Sequence, residues 1–503
     1  MREERRRSFT VRAAVPRRAC AQIALSLLVA LPAASRAAAE AAPPSYSSST
    51  EGVEAWLAGD AARAAEELRP RTDREGALNR GVALLYAGDV TAAERHLLAL
   101  QAREPRFTPA LRWLARARAK AQDPALGATL TALLTDSGAD SRDFLWAGRF
   151  QLEGGQAARA AGNLRAAVLR EPDLYLGWLW LGDAEAASGR DREAREAWQK
   201  ARELHAGGDV LWRLGEGSVR AGRQQEGRAL LEEALGTPEG RRREEEIRRL
   251  VPDLPPSPPP APIAPPLEPG ERLRYGASYL FFQFATLEME NQGFTEIQGR
   301  RAARLVFTVR SSPGFPFLTI DSRFESLIAD DGSVLAHRSV SRDSTQARRA
   351  AAYEMDRETG ECVVRQVVEG VFGFDRLPVP PLDQDGLSIL LLARGLAQRP
   401  SRLSVLTAVD STWKGTQLRT VGNERIRWAG REVEAVQVEA VGHYQGPAGL
   451  SGLVRTWISQ DARAIPYRAA VKLALGSIVL ELRPGGGGDQ GRVDGRGSGS
   501  VLK

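Results

Sequence analysis

The sequence predicts a multidomain protein, α then β, with an N-terminal α–α superhelical repeat array and a C-terminal antiparallel curved β-sheet, or half-barrel, around a short buried helix. Two observations predict this order. Small and apolar residues recur with a period of about 34 residues before residue 236. Apolar and polar residues alternate after residue 271. A third observation, a proline tract, separates the two parts.

The N-terminal segment, residues 1–39, has the three parts of a secretory signal peptide. An arginine-rich stretch ends at Arg18, an apolar stretch runs from Ala21 to Leu31, and small residues follow around Ala37 and Ala39. The apolar stretch is shorter than the ~20 residues that a spanning helix needs. We therefore expect Sec-type export, cleavage near Ala37 or Ala39, and a periplasmic product without a transmembrane span. An uncleaved anchor is the alternative.

The basic pI near 9.5 comes from this same segment. Residues 1–37 carry eight arginines and two glutamates, a net charge of +6, and the net charge of the whole chain is also +6. The chain after the segment is therefore formally neutral. Because it has no overall positive field to attract phosphates, nucleic acid is not expected among its partners.

Composition sets the remaining domain boundaries. Residues 40–50 form a flexible leader, residues 51–236 the helical repeats, residues 237–270 a charged and proline-rich linker, residues 271–484 the β domain, and residues 485–503 a disordered glycine-rich tail. The proline tract at 254–269 reads as a semi-rigid polyproline spacer. Such a spacer offers few contacts across it, so the two halves are expected to fold independently.

Within residues 51–236, each repeat predicts two helices joined by a tight turn. The first glycine of a repeat allows the helices to approach closely, and the second turns the chain through a conformation that a side chain disfavours. Five or six units are expected, and the unit near 108–140 is weak because Ala115 and Gln122 replace its glycines. The repeated set is Gly148, Gly155, Ala160, Leu164 and Ala167, then Gly182, Gly189, Ala194, Trp198 and Ala201, then Gly215, Gly222, Gly227, Leu231 and Ala234.

The pattern Trp178-x-x-Leu181-Gly182, followed by Ala194, Trp198 and Ala201, resembles the tetratricopeptide repeat (TPR) family. The resemblance implies stacked helix pairs whose first helices line a concave groove for a protein partner. Each groove position could instead be solvated or pack between repeats. By repeat position, the residues predicted to look into the groove are Arg142, Leu145, Arg149, Leu179, Asp183, Trp212 and Glu216.

The β domain is predicted to contain about a dozen short strands, enough for a strongly curved sheet. One segment breaks the alternation: Leu387–Ala397 is apolar on nearly every side, and Asp385 precedes it as an N-cap. A short helix with this composition must be buried, so the sheet is expected to curve around helix 386–397. Beyond the alternating segments around 285–290, 436–440 and 478–483, the strand candidates are 303–310, 317–328, 352–356, 361–368, 403–409, 415–421, 453–458 and 465–475.

Several short segments of the β domain resemble an exported bacterial family, domain of unknown function 3108, over about 271–483. They include Leu273-Arg-Tyr275, Asp321–Ser326, Trp457–Asp461 and Ile465–Arg468. The resemblance implies an envelope location and no established activity. The family's central helix usually carries an aromatic residue and another Arg or Tyr, whereas here Arg394 is the evident polar residue.

The residues give little support to catalysis. The four histidines have no partners at metal-ligand spacing, Cys362 has no cysteine to pair with after the signal segment, and Asp383 and Asp385 suit a helix cap better than an acid–base pair. We therefore expect no enzyme, no cofactor and no metal. The favoured function is a periplasmic or cell-envelope scaffold that binds a protein partner through its repeats. The alternative is a carrier that holds a lipid or another apolar ligand in the β domain, with Phe315 and Phe317 at an apolar mouth.

Overall fold

The computed structural model describes residues 52–255, 268–280, 282–312, 321–330, 332–342, 348–356, 359–378, 383–384, 388–409, 412–442, 452–472 and 476–484. The predicted signal peptide, the leader, most of the proline tract, the segment of Phe315 and Phe317, the proposed cap Asp385 and the tail from residue 485 lie outside these residues.

Within residues 52–255, the first twelve helices form six successive hairpins. They are α1 (Val53–Leu57) with α2 (Ala61–Glu67), α3 (Arg74–Tyr86) with α4 (Val90–Arg103), α5 (Thr108–Ala121) with α6 (Leu126–Thr135), α7 (Ser141–Glu153) with α8 (Ala157–Arg170), α9 (Tyr175–Ala187) with α10 (Asp191–Leu204), and α11 (Gly208–Arg220) with α12 (Gln224–Leu235). The predicted array of helix pairs is thereby confirmed.

The repeated glycines act as their spacing predicts. Gly155 and Gly189 turn the chain between helices at φ values of 72° and 74°. A Cβ atom on Gly182 would lie 2.3 Å from the ring of Trp198, so this glycine lets α9 and α10 approach closely. In the weak unit, Gln122 adopts φ 55° and ends α5 where the other units use glycine.

The helical region extends beyond residue 236 through α13 (Pro238–Arg242) and α14 (Glu244–Leu250). The sequence places this stretch in the linker because it is so highly charged. Its glutamates and arginines pair along the exposed side of α14, with 2.7 Å between Glu244 and Arg248. Ile247 and Leu254 are buried against α11 and α12, so the stretch closes the end of the array.

The described strands form one sheet, in the order β8-β7-β6-β5-β4-β3-β2-β1-β15-β14-β13-β12-β11-β10-β9. Neighbours are antiparallel except β9 and β10, which are parallel. The sheet is not closed into a barrel, because β8 and β9 are its two edges. The strands are β1 (Arg272–Tyr279), β2 (Phe282–Ile297), β3 (Arg300–Ser311), β4 (Asp321–Ala329), β5 (Val334–Arg342), β6 (Arg348–Asp356), β7 (Glu361–Val368), β8 (Val371–Pro378), β9 (Asp383–Gln384), β10 (Arg402–Val409), β11 (Thr412–Trp428), β12 (Arg431–Gly442), β13 (Leu453–Ser459), β14 (Pro466–Lys472) and β15 (Ser477–Leu482).

Helix α15 (Ser388–Gln398) lies inside the curve of this sheet. Leu391 packs with Leu305 on β3 and Ile328 on β4, whereas Leu392 and Leu396 pack with residues of β10 to β13. One short helix therefore contacts strands far apart in the sheet, and the predicted wrapping of the sheet around a buried helix is confirmed.

An ion pair ties α15 to the start of the sheet. The side chains of Arg394 and Glu271 are each 1% exposed, and their N–O distances are 2.7 Å and 3.1 Å. Arg394 also donates to the carbonyl of Arg463 at 2.8 Å, which joins α15 to the β13–β14 turn. Because an unpaired buried charge is costly, this pair holds the helix in one position.

Candidate functional site

The concave groove of the array holds the edge strand β8. The first helices of three successive pairs, α3, α5 and α7, each direct one polar side chain at the main chain of this strand. We call these residues, Asn79, Arg116 and Arg149, the clamp. Asn79 Nδ2 donates to Gly370 O at 2.6 Å, Phe372 N–H donates to Asn79 Oδ1 at 2.8 Å, Arg116 Nη1 donates to Phe374 O at 2.5 Å, and Arg149 Nη1 donates to Arg376 O at 3.0 Å.

The clamp recognises one edge of an extended strand. The main-chain groups that it binds belong to even-numbered residues, and in an extended strand alternate residues present their N–H and C=O groups to the same side. The opposite side of β8 pairs with β7. The unpaired edge of a strand presents a row of main-chain N–H and C=O groups without hydrogen-bond partners. The clamp forms hydrogen bonds with some of these groups.

Aromatic side chains add an apolar seat beside the clamp. The ring of Trp56 stacks on Phe372 with 4.9 Å between centroids, and Tyr86 stacks on Phe374 at 3.7 Å. Burial raises the pKa of Tyr86 to about 12, because the desolvated phenolate is disfavoured. Arg116 also pairs with Asp375 at 3.0 Å, so the seat ends in a positive charge matched to a carboxylate.

Residues of the array pack against both faces of the sheet at β8. Phe372 and Phe374 share an apolar cluster with residues of α1 to α5. Leu377, on the other face of β8, shares a second cluster with Val364 and with residues of α9, α11 and α12. Residues of opposite parity point to opposite faces of a strand, so the sheet edge is inserted into the groove rather than laid against it.

A second seam joins the array to the far side of the sheet. The ammonium group of Lys414 on β11, 6% exposed, pairs with Glu171 and, at 3.0 Å, with Asp173. Trp413 Nε1 donates to Pro378 O at 2.9 Å, which links β11 to the end of β8. A Cβ atom on Gly415 would lie 1.8 Å from the carbonyl oxygen of Leu204, so the strand requires glycine here.

These contacts correct the expectation that few contacts join the two halves. The proline tract does separate them along the chain, but it does not keep them apart in space. The groove residues and the sheet edge share apolar clusters, hydrogen bonds and ion pairs. A boundary drawn from composition marks a change along the chain. It does not predict whether the segments on its two sides contact each other in the folded protein.

Of the residues predicted to line the groove, Arg149 and Leu179 face the sheet. Arg149 belongs to the clamp, and Leu179 is buried in the cluster that contains Trp413. The other five lie within the array: Leu145 is buried among α7, α8 and α9, Asp183 pairs with Arg213 at 2.6 Å, Arg243 covers the ring of Trp212 at 4.2 Å, Glu216 pairs with Arg220 at 2.8 Å, and Arg142 is half-buried. Their role in binding a partner stays a prediction.

The sequence interpretation missed Asn79, Arg116 and Trp56. A signal for Arg116 exists, because it follows Ala115 as Arg149 follows Gly148, and so occupies the same repeat position. It lies in the weak unit, whose missing glycines obscure the repeat position. Asn79 occupies a different repeat position, and no local pattern distinguishes it from a buried polar residue of the helix interior.

Inside the sheet, Leu391, Leu392 and Leu396 of α15 are at most 2% exposed. Binding of an apolar ligand by this domain stays a prediction. One open pocket of about 590 Å³ lies at the end of α15, with polar Arg402 and Asn423 among its lining residues. Within the described part of the chain, no cluster of three His, Cys, Asp or Glu side chains could hold a metal ion. None of the described helices combines the length and apolar character that crossing a bilayer requires.

Solved repeat proteins are similar to part of this chain, and no curated protein matches it. MamA is 17% identical, with 33% of this chain and 96% of MamA covered and a TM-score of 0.30. The C-terminal part of a TPR repeat-containing protein from Cytophaga hutchinsonii is 14% identical, with 40% and 84% covered and a TM-score of 0.35. YrrB, described as a TPR protein with an unusual peptide-binding site, is 15% identical, with 38% and 93% covered and a TM-score of 0.30.

The sheet region matches a family model. The match covers residues 273–483, which begin at the second residue of β1 and end just after β15, and so include α15 and all of the described sheet except Arg272. This confirms the resemblance expected from the sequence segments. The chain thus joins an array of helix pairs to a C-terminal region that matches the family described as "Protein of unknown function (DUF3108)".

Proposed function

We propose that this chain is a non-enzymatic scaffold of the cell envelope that binds a protein partner through the groove of its helical array. The observation that supports this proposal is the clamp. Asn79, Arg116 and Arg149 bind main-chain groups, which every polypeptide has, and they are spaced along an extended strand. A groove that already holds a polypeptide backbone has the chemistry to hold another.

Export is part of the proposal. The arginine-rich start, the short apolar stretch and the small residues before residue 40 support a cleaved signal peptide and a periplasmic location. N-terminal sequencing of the protein from a periplasmic fraction tests this, and we expect a new N-terminus near Ala37 or Ala39. An intact Met1 in the membrane fraction would contradict export as a cleaved product.

Binding is tested by capturing envelope proteins on the immobilised full chain. We expect a specific partner to be retained by the wild-type protein and lost by the variant Asn79→Ala/Arg116→Ala/Arg149→Ala. The matched control is Arg202→Ala, which removes an exposed arginine that pairs with Glu233 between α10 and α12, away from the groove. Equal capture by the groove variant and by the control would show that the partner binds elsewhere or not at all.

A further inference from the structure

We infer that β8 is an internal ligand of the groove, and that the partner is a protein segment which takes its place. The segment is extended and carries two aromatic residues two positions apart, followed at once by an acidic residue. This inference rests on the proposed function, because it names the partner class of the same groove. It also adds a regulation: the groove is closed while β8 occupies it.

The specificity follows from what surrounds β8. Trp56 stacks on Phe372 and Tyr86 on Phe374, so two aromatic seats lie two residues apart on one face of the strand. The guanidinium of Arg116 then pairs with Asp375, the next residue. Asn79 binds both a carbonyl and an N–H group around the first seat and so defines the register. A competitor must present the same order of groups.

The position of β8 suits exchange. It is an edge strand, so it pairs with one neighbour, β7, and its departure leaves the rest of the sheet order intact. Gly370 precedes it at φ 85°, and Pro378 ends it. Because β8 is tethered to the groove, its effective concentration is on the order of millimolar, and a free segment competes poorly until the internal strand is weakened.

The test uses a fluorescent peptide with the sequence of residues 369–378 and the full mature chain. The wild-type protein is expected to bind it weakly. The variant Phe372→Ser/Phe374→Ser, which loses the aromatic anchors of β8 but keeps the groove, is expected to bind at least about tenfold more tightly, since the internal competitor is weakened. Adding Asn79→Ala/Arg116→Ala to that variant should abolish the gain. A peptide with its aspartate changed to lysine should bind less tightly than the original.

A folded Phe372→Ser/Phe374→Ser variant that binds the peptide no better than the wild type overturns the inference. If this variant does not fold, hydrogen exchange on the wild-type chain decides instead. Saturating peptide should then speed the exchange of the β8 amides and leave β14 unchanged, and no change in β8 overturns the inference. Should the groove variant of the capture experiment lose its partner while the peptide fails both tests, the proposed function stands and the strand-exchange inference falls.

Discussion

At the scale of single residues, the clamp and the buried ion pair use the same physical device. In each, a polar side chain satisfies groups that would otherwise be buried without partners. Asn79 is 5% exposed and binds one main-chain group just before β8 and one within it, and Arg394 binds a carboxylate and a carbonyl. Such groups contribute modestly when satisfied, but their loss leaves a desolvated partner unpaired.

For the clamp, we expect Asn79→Ala to lower the free energy of unfolding by about 2–3 kcal/mol, because it leaves the carbonyl of Gly370 and the N–H of Phe372 without their hydrogen bonds to Asn79. Urea denaturation followed by tryptophan fluorescence measures this. The control is Asn163→Ala, whose amide bonds the side chain of Gln151 within one helix pair. A smaller loss for Asn79→Ala than for the control would mean that its contacts to β8 contribute little.

For the ion pair, we expect Arg394→Met to destabilise the sheet by about 3–5 kcal/mol, since the buried Glu271 then keeps only the longer ion pair with Arg463, at 4.0 Å. The double variant Arg394→Met/Glu271→Leu should recover much of that loss. The exposed pair of Arg425 and Glu434 is the comparison, and its removal should cost about 0–1 kcal/mol. Thermal and urea unfolding of the three variants measure these losses of stability. A double variant no more stable than Arg394→Met would contradict the expected recovery.

Lowering the pH should weaken the contact between the array and β11, because Glu171 is part of its ion pair with Lys414. Burial favours a raised pKa for this carboxyl, but hydrogen bonds from Lys414 and Ser141 and the charges of Lys414 and Arg142 lower the pKa below 4.5 overall. The stability that Glu171 contributes is therefore present above about pH 4.5 and is lost as the pH falls through the folded-state value. The free-energy gap between the wild type and Glu171→Gln should be larger at about pH 6 than at about pH 3.5. A gap independent of pH would argue against this role.

At the scale of elements, α15 and β8 show what local sequence can predict. The apolar residues of α15 predict that this helix is buried. A buried helix in a β domain in turn predicts a sheet that curves around it. Strand β8 was not among the predicted strands, because Gly370, Gly373 and Pro378 give it the composition of a loop. Its extended form depends on β7 and on the groove, which are contacts made between distant parts of the chain.

We expect Leu391→Ala in α15 to cost about 2–5 kcal/mol, because the side chain is 2% exposed and fills the space between Leu305 and Ile328. Leu391→Met keeps the volume and should cost less than about 1.5 kcal/mol. Circular dichroism during thermal unfolding measures both. Equal costs for the two substitutions would show that this space is not tightly packed.

At the scale of the whole molecule, the array and the sheet form one unit. The six helix pairs could be predicted because their glycines repeat, and the curved sheet because its apolar residues alternate. Their union could not, because Trp56, Phe372 and Arg116 have ordinary environments when each half is considered alone. No local rule states that an aromatic residue of one domain will stack on an aromatic residue of another.

We expect the two halves to stay together when the chain between them is cut. A protease site inserted between residues 256 and 267 allows cleavage without touching the described contacts. After cleavage, the fragments should co-elute in size-exclusion chromatography, held by the stacked rings, the clamp and the Lys414 ion pairs. The variant Trp56→Ala/Phe372→Ala should separate more readily. Two separate peaks from the cut wild-type protein at micromolar concentration would contradict a single unit.

The pairing of β1 with β15 has a consequence for the order in which the sheet forms during synthesis. Strands β1 to β8 form one antiparallel meander and β10 to β15 a second, and the two join where the first strand of the domain meets the last. The sheet therefore stays in two pieces until residues 477–482 have emerged. By then the array has long been available, so it can receive the edge strand of the first meander and guard it against pairing with other emerging chains until the last strand arrives.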